Sequence, residues 1–144
     1  LRYANGARGL LWASQVAPGN ENNLRIRVYG TKGGLEWKQE HPNQLHWSPF
    51  GQPTQVIARA TGAANAAAAR VSRIPAGHPE GYLEGFATLY SEIAQAIRAA
   101  RKGGPKADKA AHFPSLEDGI KGVAFIEAVV ASSKRGGRWT KLSA

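Results

Sequence analysis

The sequence predicts an α+β domain, a mainly antiparallel open sheet with helices packed on one face. Three observations lead there. Short runs of alternating apolar and polar residues, divided by Gly and Pro, fill the first part of the chain. Longer runs with apolar residues every three or four positions fill the second. The order is strands, then helices, then one closing strand, rather than alternating strand–helix units. The 144 residues are enough for one domain with a single core, and not for two.

The elements follow in order. Residues 8–17 (Arg-Gly-Leu-Leu-Trp-Ala-Ser-Gln-Val-Ala) form a β-prone run that Pro18-Gly19 ends. After the polar loop Asn20–Asn23, Leu24, Ile26 and Val28 alternate with Arg25, Arg27 and Tyr29, as in a half-buried strand. Gly30–Gly34 supplies a turn and Leu35–Gln39 resumes the alternation, which reads as an antiparallel hairpin. Leu45–Trp47 and Gln55–Ala58 are further short strands, separated by the breakers from Pro49 to Pro53.

From Thr61 the composition changes. Gly62–Ala69 is Ala-rich and favours helix. Ile74–Pro79 interrupts it with two prolines and a glycine. Tyr82, Phe86, Leu89, Tyr90, Ile93 and Ile97 then recur at helical spacing, and the helix ends in basic residues before Gly103-Gly104-Pro105. Lys106–Ala111 reads as a mobile charged loop. Ser115 is the N-cap of a last helix, with Asp118 completing a capping box and Leu116, Ile120, Val123, Ile126 and Val130 its apolar stripe. Gly119 and Gly122 would let a neighbour pack closely. Arg135-Gly136-Gly137 ends that helix, and Arg138–Leu142 is the closing strand.

Composition excludes several function classes. With no Cys there are no disulfides, thiolate nucleophiles, iron–sulfur clusters or Cys-based zinc sites. No run reaches the length of a membrane span. The chain contains no Met and begins at Leu1, so it is expected to be the later part of a longer protein. No G-x-G-x-x-G follows a strand, and there is no phosphate loop, no G-x-S-x-G and no H-E-x-x-H. His41 and His46 lack further ligands nearby, so no metal is expected. No residue is assigned as catalytic or cofactor-binding. The net charge of +9 concentrates late, where Arg98–Lys141 holds ten of the 19 basic residues. Without a recognition motif, that reads as a solvated surface, and a free-standing nucleic-acid-binding module is the less favoured alternative.

Three features remain. Arg73-Ile74-Pro75-Ala76-Gly77-His78-Pro79-Glu80-Gly81-Tyr82 gathers a guanidinium, an imidazole, a carboxylate and a phenol in a stiff segment that opens a helix. It can orient hydroxyl-rich or anionic ligands; the plainer reading is that His78 and Glu80 cap the helix and Tyr82 enters the core. Gln15, Asn20, Asn22 and Asn23 offer amides that bond sugar hydroxyls or simply build turns. Trp12, Trp37, Trp47 and Tyr29 either complete a core or form an uncovered sheet face for a partner.

Several of these stretches together resemble the C-terminal part of the Gfo/Idh/MocA oxidoreductases. They are Ser14-Gln15-Val16-Ala17, the run from Leu24 to Trp37, the run from Pro75 to Tyr82, and Phe113-Pro114-Ser115-Leu116-Glu117-Asp118-Gly119. The likeness covers essentially the whole chain. It implies that residues 1–144 are a single substrate-binding and oligomerisation domain, and that the parent carries an N-terminal Rossmann domain absent here. It implies a parent using NAD or NADP on a sugar, inositol or related polyol, cytoplasmic, and oligomeric through the open sheet face. The family's D-x-x-x-H element and E-K-P lysine have no match, so this chain alone is expected to hold no cofactor and turn over nothing. Gln15, Arg73, His78 and Glu80 are the candidate substrate-side residues. A carbohydrate-binding domain without catalysis is a further alternative.

Overall fold

The computed structural model describes residues 1–62, 64–102 and 113–143. Within them lie four strands and three helices. The strands are β1 (Arg25–Gly30), β2 (Gly33–Lys38), β3 (Gln44–Pro49) and β4 (Gln55–Ala58). The helices are α1 (Ala66–Val71), α2 (Tyr82–Arg101) and α3 (Leu116–Lys134). The class is the α+β expected. The chain divides into two compact units, Leu1–Gly81 and Tyr82–Ala144.

The first unit is built on an antiparallel sheet in the order β1-β2-β3-β4. Gly30 pairs with Gly33, so Thr31 and Lys32 alone turn the chain. The register then decides the faces. Ile26 lies opposite Trp37 and Val28 opposite Leu35. Leu35 in turn faces Trp47, Trp37 faces Leu45, and Leu45 faces Ile57. Since side chains alternate along a strand, these residues share one face. Arg25, Arg27, Tyr29, Glu36, Lys38 and His46 share the other. The apolar face is not sealed. Ile26 and Val28 are more than half exposed, and no apolar side chain among the described residues is fully buried.

Two expected strands are absent among the described residues. The run 8–17 forms no ladder beyond an isolated bridge between Arg2 and Arg8, and Leu10, Leu11, Trp12 and Val16 are exposed. Strand propensity needs an adjacent edge to act on, and this segment pairs with none. Arg138–Leu142 instead folds back on the end of α3. The Ser132 hydroxyl donates to the Arg138 carbonyl at 2.8 Å and Arg135 Nη2 donates to Thr140 Oγ1 at 2.9 Å.

Both helices of the second unit begin where the sequence placed them, and α3 also ends there. Ser115 Oγ accepts from the Asp118 amide at 3.2 Å, and Asp118 Oδ2 accepts from the Ser115 amide at 2.8 Å. Gly136 and Gly137, at φ +69° and +79°, close α3 with bonds to the Ser133 and Ser132 carbonyls. The apolar stripe of α2 is largely exposed. Tyr82, Phe86, Tyr90, Ile93 and Ile97 are exposed and only Leu89 is half-buried, whereas Glu92 is buried. Tyr82, expected in the core on the plainer reading, is 70% exposed, its ring 4.8 Å from that of Phe86. A Cβ at Gly119 or Gly122 would meet open space among the described residues, so neither marks a close approach. The Ala-rich helix is shorter than its composition implied, starting after Asn65, whose side chain accepts from the Ala68 amide. The loop expected at Lys106–Ala111 and the Gly103-Gly104-Pro105 stop lie outside the described residues. No described helix is long and apolar enough to cross a membrane.

Candidate functional site

The segment Ser72–Gly81 links α1 to the end of the first unit, and it is fastened to the sheet by a residue outside its own motif. Arg59 follows β4 and its amide donates to the Asn43 carbonyl at 2.9 Å, prolonging the β3–β4 ladder by one step. Ala60, at φ +56°, then turns the chain away. This leaves the Arg59 side chain beside residues 74–80.

An arginine presents five N–H donors in a fixed fork, and here each has an acceptor. Nε donates to Asn43 Oδ1 at 2.7 Å. Nη1 donates to the Ile74 carbonyl at 2.7 Å and lies 2.6 Å from Glu80 Oε2. Nη2 donates to the His78 carbonyl at 2.8 Å and, more weakly, to that of Pro75 at 3.4 Å. The Arg59 and Glu80 side chains are only 15% and 5% exposed. A buried carboxylate is tolerated when it is both paired and hydrogen-bonded, and Glu80 is. Its oxygens accept from the Arg73 amide at 2.9 and 3.1 Å and from the Ile74 amide at 3.0 Å. Its own amide donates to Asn43 Oδ1 at 3.3 Å.

Glu80 therefore does not cap α2 as the plainer reading had it; it staples the start of its own segment to the sheet end. Between the two anchor points, His78 N bonds the Pro75 carbonyl at 3.3 Å across a tight turn. Gly77 sits there at φ +83°, which a side chain resists. Arg73 and His78 lie on the exposed parts of this clamped segment. Three of the four candidate residues, Arg73, His78 and Glu80, are thus held in one rigid unit. Gln15 is exposed in the segment before Pro18 and takes no part in it.

Arg59 and Asn43 escaped the sequence reading, since neither lies in a motif. The available signal was indirect. A carboxylate that becomes buried needs a paired cation or hydrogen bonds, and Arg59 stands at the end of the preceding strand.

On the polar sheet face, Lys38 Nζ and Arg25 Nε approach Glu36 Oε1 at 3.3 and 3.6 Å. Partial desolvation raises the Glu36 carboxyl, but the bond from Lys38 and the charges of Lys38, Arg25 and Arg27 outweigh it and hold the group below its ordinary value. Among the described residues, no group of three or more His, Asp or Glu side chains is placed to hold a metal.

Comparison with known proteins gives the wider setting. The family described as "Oxidoreductase family, C-terminal alpha/beta domain" (Gfo/Idh/MocA) matches residues 1–142. An uncharacterized oxidoreductase of Bacillus subtilis (strain 168), YfiI, is 31% identical over 141 residues, covering 98% of this chain and 36% of that protein. The crystal structure of an oxidoreductase from Sinorhizobium meliloti is 57% identical with a TM-score of 0.86, over 94% of this chain and 37% of that one. An inositol dehydrogenase homolog from Azotobacter vinelandii, solved in complex with NADH and myo-inositol, is 40% identical with a TM-score of 0.89, over 97% of this chain and 37% of that one. This chain therefore spans little more than a third of the length of these relatives. With the family's pattern matching residues 1–142 and the fold shared with these solved relatives, the chain belongs to the Gfo/Idh/MocA oxidoreductases, as their C-terminal α/β domain.

Proposed function

We infer that this domain forms the substrate-side wall and the oligomerisation platform of an NAD(P)-dependent oxidoreductase acting on a polyol, an inositol or a sugar. The observation that carries the reading is the clamped segment Ser72–Gly81. It presents Arg73 and His78 from a backbone fixed by Arg59 and Glu80, in a fold whose Azotobacter neighbour was solved with NADH and myo-inositol. A rigid backbone carrying a guanidinium and an imidazole suits a ligand dense in hydroxyls, because both groups bond hydroxyl oxygens at fixed positions. Glu80 contributes by shaping that backbone, and Gln15 supplies an amide from a separate exposed segment.

The residues here do not fit a dinucleotide. Strands β1–β4 run antiparallel, and no strand enters a helix through a Gly-rich turn among the described residues. The NAD or NADP is accordingly held elsewhere in the parent. The 144 residues alone bind NADH weakly and turn nothing over; micromolar binding by calorimetry contradicts that.

The platform role follows from the half-covered apolar face of β1–β4. Ile26, Val28 and Leu35 remain exposed there, and a second copy of the chain is the occupant proposed for them. The parent works in the cytoplasm on this reading.

The test is direct. Full-length protein is assayed for reduction of NAD and NADP with myo-inositol, D-glucose and D-xylose. Turnover of at least one, weakened by His78→Ala or Arg73→Ala through KM, supports the reading. No turnover of any, or turnover indifferent to both substitutions, sinks it.

A further inference from the structure

We propose that Arg59 is the positioning residue of this site, acting on the substrate only through the backbone it holds. The proposal rests on the reading of Ser72–Gly81 as substrate-side, and adds to it the residue that determines where the segment lies.

The guanidinium touches the segment at each part that matters. It takes the Ile74 carbonyl next to Arg73, the Pro75 and His78 carbonyls that bracket the turn, and the Glu80 carboxylate at its end. Glu80 closes the loop from the other direction by accepting from the Arg73 and Ile74 amides. Both flanks of the turn are thereby referred to one rigid, planar group. That group is itself set by Asn43, whose carbonyl receives the Arg59 amide and whose Oδ1 receives Nε. A chain of direct bonds thus runs from the sheet end through Arg59 to the backbone of Arg73 and His78. The fork geometry is essential. A lysine supplies the same charge to Glu80 from a single point and cannot hold the three carbonyls together. Since every guanidinium N–H is already engaged within the protein, Arg59 is not itself a ligand for substrate.

The experiment uses the full-length protein, with myo-inositol as probe or whichever compound of the panel above is turned over fastest. Arg59→Lys is compared with wild type by hydrogen exchange over residues 72–81 and by steady-state kinetics well below the unfolding temperature. Exchange in that segment is expected to rise. KM is expected to rise about tenfold with kcat changed less than about threefold, the pattern of a lost ground-state contact. The double variant Arg59→Lys/His78→Ala is expected to raise KM by less than the product of the two single effects, because His78 is one of the two contacts that Arg59 positions. Asn43→Ala provides a second, milder route to the same loosening should Arg59→Lys not fold, and is expected to shift KM in the same direction. Faster exchange with an unmoved KM in both variants overturns the proposal. If His78→Ala and Arg73→Ala still raise KM, the substrate-side reading survives that failure. If they do not, or if wild type turns over nothing, that reading fails and the proposal with it. Unchanged exchange in both variants overturns the clamp itself.

Discussion

Tyr29 lies across the bare backbone of Gly34, its partner in the β1–β2 ladder. A Cβ built on Gly34 would come 2.8 Å from Tyr29 Cδ1. The neighbouring Gly33 is hemmed in differently. A Cβ there would overlap the Ser48 carbonyl, stand 2.7 Å from the Trp47 ring and 3.0 Å from Pro49 Cα, and its φ of +151° disfavours any side chain. An exposed tyrosine ring can swing aside; a paired backbone cannot. Gly33→Ala is therefore expected to cost about 3 kcal/mol and Gly34→Ala about 1 kcal/mol. Urea unfolding followed by tryptophan fluorescence measures both, and equal losses would contradict the distinction.

Ala60 bears the bend that follows Arg59. A left-handed φ of +56° is unfavourable for a residue with a Cβ, by about 1 kcal/mol. Ala60→Gly relieves that strain but increases the freedom of the unfolded chain, so a net stabilisation of about 0.5 kcal/mol is expected. A higher urea midpoint with an unchanged slope supports this. A lower midpoint would mean the alanine methyl makes contacts that outweigh its strain.

The start of α3 carries a pH dependence. The Ser115 amide and hydroxyl both donate to Asp118, and these bonds, with the charge of Lys121, outweigh the opposing desolvation and hold its carboxyl below the ordinary value of 3.8. A folded value below the unfolded one stabilises the fold fully above the unfolded value. That contribution fades as pH falls through the folded value. The stability difference between wild type and Asp118→Asn should be constant above about pH 5 and shrink on acidification below about pH 4. Ser115→Ala should cost about 1 kcal/mol at neutral pH. A difference that grows towards acid would reverse the assigned sign.

Self-association is expected to depend on the apolar sheet face. Val28→Lys or Ile26→Glu, on the exposed strand β1, should shift the full-length protein towards smaller species in light scattering, without loss of secondary structure. Substitution of Arg27, on the opposite face, should have less effect. The reverse ranking would place the contact on the polar side.

What the sequence revealed was whatever neighbouring residues decide among themselves. The hairpin turn, the alternation through Ile26 and Val28, and the Ser115–Asp118 box are all local; the alternation and the box stand where the pattern put them, while the turn expected over Gly30–Gly34 narrows to Thr31-Lys32 because its glycines join the ladder. Partnership between distant segments was not visible in the same way. Residues 8–17 have the composition of a strand, but a strand also requires an edge. The α2 stripe had the right period, but period alone does not say which face is covered. The site divides along the same line. Its motif, from Arg73 to Tyr82, could be read directly, whereas Arg59 and Asn43, which fix its geometry, are single polar residues at strand ends and become meaningful only when the ladder sets them side by side.

The close turn between β1 and β2 also determines where the domain can change length. With only Thr31 and Lys32 between the paired glycines, an added residue that does not widen the loop to three must be taken up by the ladder. It would shift the register by one, turning Arg25 and Arg27 towards the apolar face or withdrawing Ile26 and Val28 from it. The connection Phe50–Thr54 between β3 and β4 is long enough to absorb such a change. Tags, labels and grafted loops therefore belong in the second connection and not in the first.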